Sequence, residues 1–359
     1  MSTELLSDQA GRAVRVPPAG KRPSGPHCEI VFTGTSFVTA DASLACPAAE
    51  ATTRCDEALR HGGGVSWERV RATVADYVEL TKPRIVVMIL VTTVASAMIA
   101  AGGSPAASIW LSLLVGTAAI AGSAGAANQV WERKIDAEMT RTAGRPLPAR
   151  RVSPRQAIGF TALLGGFGFS LLWVAVGPIP AVIGGLTWLL YVLAYTPMKT
   201  RTSWNTTVGA IAGALPILIG YTATGGRLGV AEGWLLFGVL AAWQYPHFMA
   251  IAWMYRRQYA AAGFQMTTTV DPSGRWAGAQ SIVGSLVVAI CGISLVWAVG
   301  GPWLRWTSVA LVSVSCLPML AASCRFAAAP GDDLARRLLR SSLLVLPAVL
   351  AIVTFVSVR

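Results

Sequence analysis

Three side chains that carry amide or carboxylate oxygens, Asn128, Glu132 and Asp136, recur every fourth residue along Ala127-Asn128-Gln129-Val130-Trp131-Glu132-Arg133-Lys134-Ile135-Asp136. On a helix this spacing turns by only about 40° per step, so the three share one stripe. Oxygen donors on a stripe suit Mg²⁺, which binds through one or two carboxylates and fills its octahedron with phosphates and waters. Arg141 and Arg145 follow within two turns, and guanidinium forks match phosphate oxygens bidentately. A divalent metal held by Glu132 and Asp136 beside two arginines implies a diphosphate. The competing reading is a helix at the membrane edge with ordinary i, i+4 pairs and topogenic arginines. Against it, carboxylates at that depth are costly and tend to be functional.

Two further stretches carry unusual residues. Tyr195-Thr196-Pro197-Met198-Lys199-Thr200-Arg201 follows an apolar segment and reads, by itself, as a basic loop that sets topology. It gains meaning as a second cationic site on the same membrane face as the carboxylates. Trp243-Gln244-Tyr245-Pro246-His247-Phe248 places Gln244 and His247 one turn apart beside a proline that frees backbone groups. Such an arrangement is expensive in lipid unless it lines a cavity, and a helix-packing hydrogen bond is the alternative for His247.

The elements that must position these groups are membrane spans. Hydrophobic residues make up 54% of the 359 and charged residues 13%, with a mean hydropathy of +0.56. A soluble chain carries about 25% charged residues. Nine apolar segments have the length that a hydrocarbon core of about 30 Å requires: Ile85–Ala101, Ile109–Ala127, Ala157–Val176, Ile179–Tyr195, Val208–Thr224, Trp234–Tyr255, Ala277–Val299, Trp306–Phe326 and Ser341–Val358. The fold class expected is therefore all-α, a polytopic membrane protein with nine transmembrane helices.

Charge tests the count. The net charge is +12, and residues 1–72 are balanced with eight basic and eight acidic residues, so the excess belongs to the spans and their loops. Of the 21 basic residues beyond residue 72, 18 fall on one side of an alternating path, and only Arg227, Arg305 and Arg359 on the other. That asymmetry predicts a cytoplasmic N-terminus and an external C-terminus. It also accounts for the basic balance without nucleic-acid binding. Asn128–Gln156 and Arg256–Trp276 are expected as long polar cytoplasmic connections.

Six cysteines show no CxxC or metal-ligand spacing, and the three histidines include only His247 in a span, which excludes a multi-histidine metal site inside the membrane. Residues 1–72 mix Pro, Gly and Ser with charges of both signs; they read as a disordered or weakly ordered tail, with residues 73–359 as the catalytic domain.

Four motifs in order carry a resemblance: Leu80-Thr81-Lys82-Pro83-Arg84, the Asn128…Glu132…Asp136…Arg141…Arg145-Pro146-Leu147 string, Tyr195-Thr196-Pro197…Lys199, and Trp243-Gln244-Tyr245-Pro246-His247-Phe248 followed by Tyr259…Gly263. From about Val78 to its end the chain resembles the UbiA-type intramembrane prenyltransferases, in their haem O synthase branch. The resemblance implies a nine-helix bundle around a central cavity open to the cytoplasmic face, farnesyl diphosphate and haem B as substrates, Mg²⁺ as cofactor, and a bacterial inner membrane as location. It further implies contact with membrane lipid and with haem A synthase or oxidase assembly factors. Carried onto this chain, Asn128, Glu132, Asp136 and Lys199 are the catalytic set. Lys82, Arg84, Arg141, Arg145, Tyr195, Arg201, His247, Arg256 and Tyr259 bind substrate, and Glu132 and Asp136 hold the metal.

The chain departs from that pattern at two places. Gln258 stands in Arg256-Arg257-Gln258-Tyr259 where an acidic residue is usual, and Gln265-Met266 where Pro-Met is usual; Asp271 is near enough in sequence to substitute for the missing acid. Other prenyl acceptors such as a quinone or chlorin precursor, a non-catalytic paralogue and a transporter are the remaining readings. A transporter would carry polar residues in the middle of several broken spans, whereas here they crowd one face.

Overall fold

The structure is a computed structural model that describes residues 67–358; the larger part of the tail, with its three cysteines, lies outside the described residues. Helix α1 (Trp67–Leu80) begins within the stretch assigned to the tail, so ordered structure starts earlier than residue 73. Nine long apolar helices follow among the described residues: α2 (Pro83–Ala101), α3 (Ala107–Glu138), α4 (Pro154–Ala175), α5 (Pro178–Met198), α6 (Asn205–Ala223), α7 (Ala231–Met254), α10 (Arg275–Val299), α11 (Pro302–Ala328) and α12 (Asp332–Ser357). Two short helices, α8 (Arg256–Ala261) and α9 (Thr267–Val270), lie between α7 and α10.

Every expected apolar segment coincides with one of these helices, and those ending at Val176, Thr224, Tyr255 and Val358 run one residue past the helix end. The differences are at the ends. Helix α3 continues eleven residues past Ala127, so that Asn128–Glu138, expected as connection, is helical. The Arg256–Trp276 connection likewise contains α8 and α9. Polar side chains stop a hydropathy-based segment but not a helix, whose backbone bonds are internal.

Consecutive helices pack side by side from α3 to α7 and from α10 to α12, and α12 returns to touch both α2 and α7. Within this bundle α6 is the central helix, with two thirds (67%) of its apolar window buried. Large apolar side chains on the outside, such as Leu163, Val174, Ile290 and Leu344, are exposed. Helices with backbone bonds satisfied internally and apolar exteriors are what a bilayer accepts.

Close helix crossings depend on missing side chains. A Cβ at Gly168 of α4 would lie 2.8 Å from the Gly116 carbonyl oxygen of α3 and 2.9 Å from the Ala119 Cβ, so these two backbones can meet only through glycine. The tight α3–α4 pair orients the polar extension of α3. At the same end Arg151 pairs with Asp76 at 2.9 Å and Glu79 at 3.0 Å, tying α1 to the segment between α3 and α4. Leu80, Ala126, Leu147, Val152 and Ala157 form a small apolar cluster beneath that tie. The segment that carries Arg141 and Arg145 is thereby held over the end of the bundle.

Candidate active site

The extension of α3 brings Asn128, Glu132 and Asp136 to one face, where all three are buried. They line a cavity of about 230 Å³ together with Lys82, Arg141, Arg145 and Lys199. Four cations against two carboxylates leave the cavity with an excess of positive charge, as an anionic substrate requires.

Each acid or amide of the stripe has its own cation. Lys82 Nζ donates to Asn128 Oδ1, and Asn128 Nδ2 donates to Thr196 Oγ1 at 3.1 Å. Lys199 Nζ stands 2.8 Å from Glu132 Oε1, an ion pair without a well-aligned hydrogen bond. Arg145 Nη1 donates to Asp136 Oδ2 at 2.7 Å. Arg141 Nη2 donates to the Tyr259 hydroxyl at 3.3 Å, and its guanidinium lies 4.9 Å from the Tyr255 ring centroid. Arg145 lies nine residues beyond Asp136, whereas Lys82, Thr196, Lys199 and Tyr259 come from sequence positions far from their partners and are brought to them by the packing of the bundle.

Local backbone features aim two of these groups. Lys82 has φ 55°, in the left-handed region, and begins α2 just before Pro83. For a residue with a side chain this costs about 1–3 kcal/mol and is found where function constrains the backbone. Lys199 follows a π-helical turn, Leu190–Tyr195, in α5. Pro197 supplies no N–H to an α-helical ladder; the Thr196 hydroxyl instead donates to the Tyr191 carbonyl at 2.8 Å. The turn brings the Tyr191 and Tyr195 rings to 5.1 Å, with Lys199 Nζ 4.7 Å from the Tyr195 centroid.

Lys199 and Lys82 differ in their protonation. Burial works to lower the pKa of Lys199, but the Glu132 carboxylate, followed by Tyr195, outweighs it and holds the ammonium above the usual lysine range. At Lys82 burial prevails, reinforced by Lys199 and Arg145, and the pKa is lowered. Lys199 is thus the firmly charged member of the pair.

The donors present fit Mg²⁺ bound jointly with a diphosphate. They are hard oxygens, each carboxylate spends one oxygen on a cation, and no group of three or more His, Cys, Asp or Glu side chains is assembled among the described residues. Two carboxylates with the remaining positions filled by phosphate and water is the usual arrangement for Mg²⁺.

A second, apolar cavity of about 470 Å³ adjoins the first, and Lys82, Ile85, Tyr195, Phe248 and Ile251 line both. Arg84 and His247 line the apolar cavity and not the charged one. Two expected substrate-binding residues stand elsewhere. Arg256 Nη1 donates to Asp332 Oδ1 and to the Trp253 carbonyl, both at 2.6 Å, and lies over the Trp253 ring, so it joins α7 to the start of α12. Arg201 is exposed and lines neither cavity, since residues two apart in a helical turn do not share a face with Lys199. Asp271 does not replace the missing acid. Its carboxylate accepts from the Trp276 N–H at 2.8 Å and the Ser273 N–H at 3.1 Å, capping α10, and the Ser273 hydroxyl, then the Trp276 amide, lower its pKa. Gln258 does not line the charged cavity, and its Oε1 is buried without a hydrogen-bond partner among the described residues.

The other departure has a structural account. The Gln265 amide donates to the Lys199 carbonyl at 2.7 Å, a bond that proline cannot make. Asn205 adds a second stitch, donating to the Gln265 carbonyl at 2.9 Å and to that of Thr202 at 2.6 Å. Neither could be read from spacing, because both are contacts between segments about 60 residues apart. We expect Gln265→Pro to remove about 1 kcal/mol of stability and to lower turnover by loosening Lys199. Thermal melting and product formation with an unchanged result in both would remove Gln265 from the support of the site.

The chain is similar to known proteins along most of its length. A relative from Rhodopirellula baltica named protoheme IX farnesyltransferase is 59% identical over 281 residues, covering 77% of this chain and 98% of the relative. One of the same name from Solibacter usitatus is 44% identical, covering 63% and 80%. Among solved structures, a digeranylgeranylglyceryl phosphate synthase matches with a TM-score of 0.67 at 14% identity, covering 80% of this chain and 99% of that one. A UbiA homologue from Archaeoglobus fulgidus bound to GPP and Mg²⁺ matches at 0.57 and 15% identity, covering 77% and 99%. At such identities the structures speak for the fold alone. The model of the UbiA prenyltransferase family matches residues 89–344, and with these relatives it shows that the chain belongs to the UbiA prenyltransferase family.

Proposed function

We propose that the chain transfers the farnesyl group of farnesyl diphosphate to a vinyl substituent of haem B, giving the hydroxyethylfarnesyl group of haem O. The observation that carries this reading is the continuity of the two cavities: a charged end for a diphosphate opens into an apolar chamber for a prenyl chain and a large planar acceptor. The names of the relatives agree with it.

The chain's own groups perform most of the work. When the allylic C–O bond ionises, negative charge grows on the departing oxygens, and Lys82, Arg141, Arg145 and Lys199 are already in place to receive it. Fixed cations in a site with little water need no reorganisation at that moment. Mg²⁺, when bound by Glu132 and Asp136 with Asn128 alongside, supplies Lewis-acid stabilisation of the same charge. Tyr195, Phe248 and Ile251 at the junction keep bulk water from the allylic cation until the vinyl carbon attacks its C1. The neighbouring carbon is then cationic; water adds to it and loses one proton to solvent, leaving the hydroxyl.

Incubating the purified protein with haem B, farnesyl diphosphate and Mg²⁺ and measuring the haem mass tests the reading. A haem enlarged by one farnesyl group and one hydroxyl group is expected. Unmodified haem beside a prenylated quinone precursor would move the assignment to another acceptor.

The basic asymmetry supports an N-terminus in the cytoplasm and a charged cavity facing it, in a bacterial inner membrane. Reporter fusions after Arg201 and after Gly226 should give opposite orientations. The same orientation at both would overturn this topology. Residues 1–72 have no part in this chemistry as proposed, which belongs to 73–359.

A further inference from the structure

We infer that His247 is the axial ligand that seats the haem iron, through an Nε2 lone pair kept free by a proton held on Nδ1. The inference rests on haem as the acceptor. Ser342 of α12 fixes the tautomer. Its hydroxyl donates to the Leu339 carbonyl at 2.7 Å, which uses its one proton. With the serine proton assigned to that carbonyl, the imidazole is the donor across the 3.0 Å contact between Ser342 Oγ and His247 Nδ1. Nε2 is left as a bare acceptor, and it has no hydrogen-bond partner among the described residues.

The ring is also held in orientation. Trp243 stacks on it with centroids 4.6 Å apart and planes at 23°, while the Trp243 indole N–H donates to the Ser342 carbonyl at 2.6 Å. One serine therefore grips both aromatic side chains of α7 from α12. An imidazole whose Nδ1–H is tied down and whose Nε2 is open has the form of a metal ligand with its outer support in place.

Two other roles fit less well. A packing hydrogen bond explains Nδ1 and gives no role to Nε2 of a ring that lines the apolar cavity. A general base would become an imidazolium, yet no carboxylate lines the apolar cavity and its charged residues, Lys82 and Arg84, are both cations. Ligation of iron keeps the ring neutral. Position agrees as well: His247 lies one helical turn, about 6 Å along the axis, from Ile251, which lines both cavities. A porphyrin centred on His247 places its rim at the junction where the allylic carbon arrives.

The test compares haem B with iron-free protoporphyrin IX as probes, on purified full-length protein. The wild type should bind haem B with the absorption and electron-paramagnetic-resonance signature of imidazole ligation, and more tightly than the iron-free porphyrin. His247→Gly should lose that signature and weaken haem binding by on the order of 10–100-fold, and Ser342→Ala should weaken it by on the order of tenfold. Neither change should alter protoporphyrin binding, and added imidazole should restore the signature in His247→Gly. A wild-type spectrum and affinity in His247→Gly, or an equal loss of both porphyrins without rescue by imidazole, would overturn the ligand assignment. Turnover by the same wild-type preparation is scored separately: farnesylated product with an unchanged His247→Gly spectrum rejects the ligand and keeps the function. Imidazole-ligated haem that is never farnesylated rejects the function and keeps the ligand.

Discussion

Lys199→Met is expected to lower kcat by on the order of 10²–10³-fold, the usual loss when one fixed donor to a developing oxyanion is removed. Of the two lysines at the site, Lys199 is the one whose charge is secure, because Glu132 holds its pKa up against burial, whereas burial lowers that of Lys82. The substitution also strands Glu132, which is 5% exposed and has no other cation at ion-pair distance among the described residues. A buried charge left without its partner costs on the order of 3–5 kcal/mol. Stability and catalysis can therefore be separated with Glu132→Gln/Lys199→Met, which removes both charges. The double variant should regain most of the melting temperature lost by Lys199→Met and none of its turnover. A Lys199→Met protein that melts early yet reacts at the wild-type rate would reduce Lys199 to a structural counter-ion.

Asp136→Asn is expected to lower turnover by about 3 kcal/mol of transition-state stabilisation, roughly two decades, and to raise the Mg²⁺ needed for half-maximal rate. The amide is nearly isosteric and can still accept from Arg145, so the protein should insert and fold. Glu132→Gln should behave alike in its metal dependence. Arg145→Gln provides the contrast. It frees Asp136 and removes a phosphate donor, so its chief effect should be a higher KM for farnesyl diphosphate with the Mg²⁺ curve little moved. Near-normal product formation by both carboxylate variants would assign the stripe to helix packing.

Much of this was legible from residue order because it depends on periodicity. The nine spans follow from apolar runs of bilayer length, and each matches a helix of the structure to within one residue at its C-terminal end or lies inside it. Asn128, Glu132 and Asp136 share a face by the arithmetic of 3.6 residues per turn, and they do line one cavity. Arg141 and Arg145 were expected beside them and are there. Gln265 was visible only as a departure from a pattern, with its meaning hidden until its amide was seen on the Lys199 carbonyl.

Chain order by itself determined the membrane class, the number of spans, the charge asymmetry and the acidic stripe, since these are set by short-range spacing and by the cost of putting charge in hydrocarbon. Tertiary structure alone decided which cation serves which oxygen. Arg201 and Arg256 resemble Lys199 in type and neighbourhood, yet one is exposed and the other is held by Asp332, because a side chain's partner depends on helices that meet across the bundle. The same reason covers His247. Its sequence neighbours left a cavity-lining role and a packing contact equally open, and only the fold brings Ser342, 95 residues away on another helix, to its Nδ1.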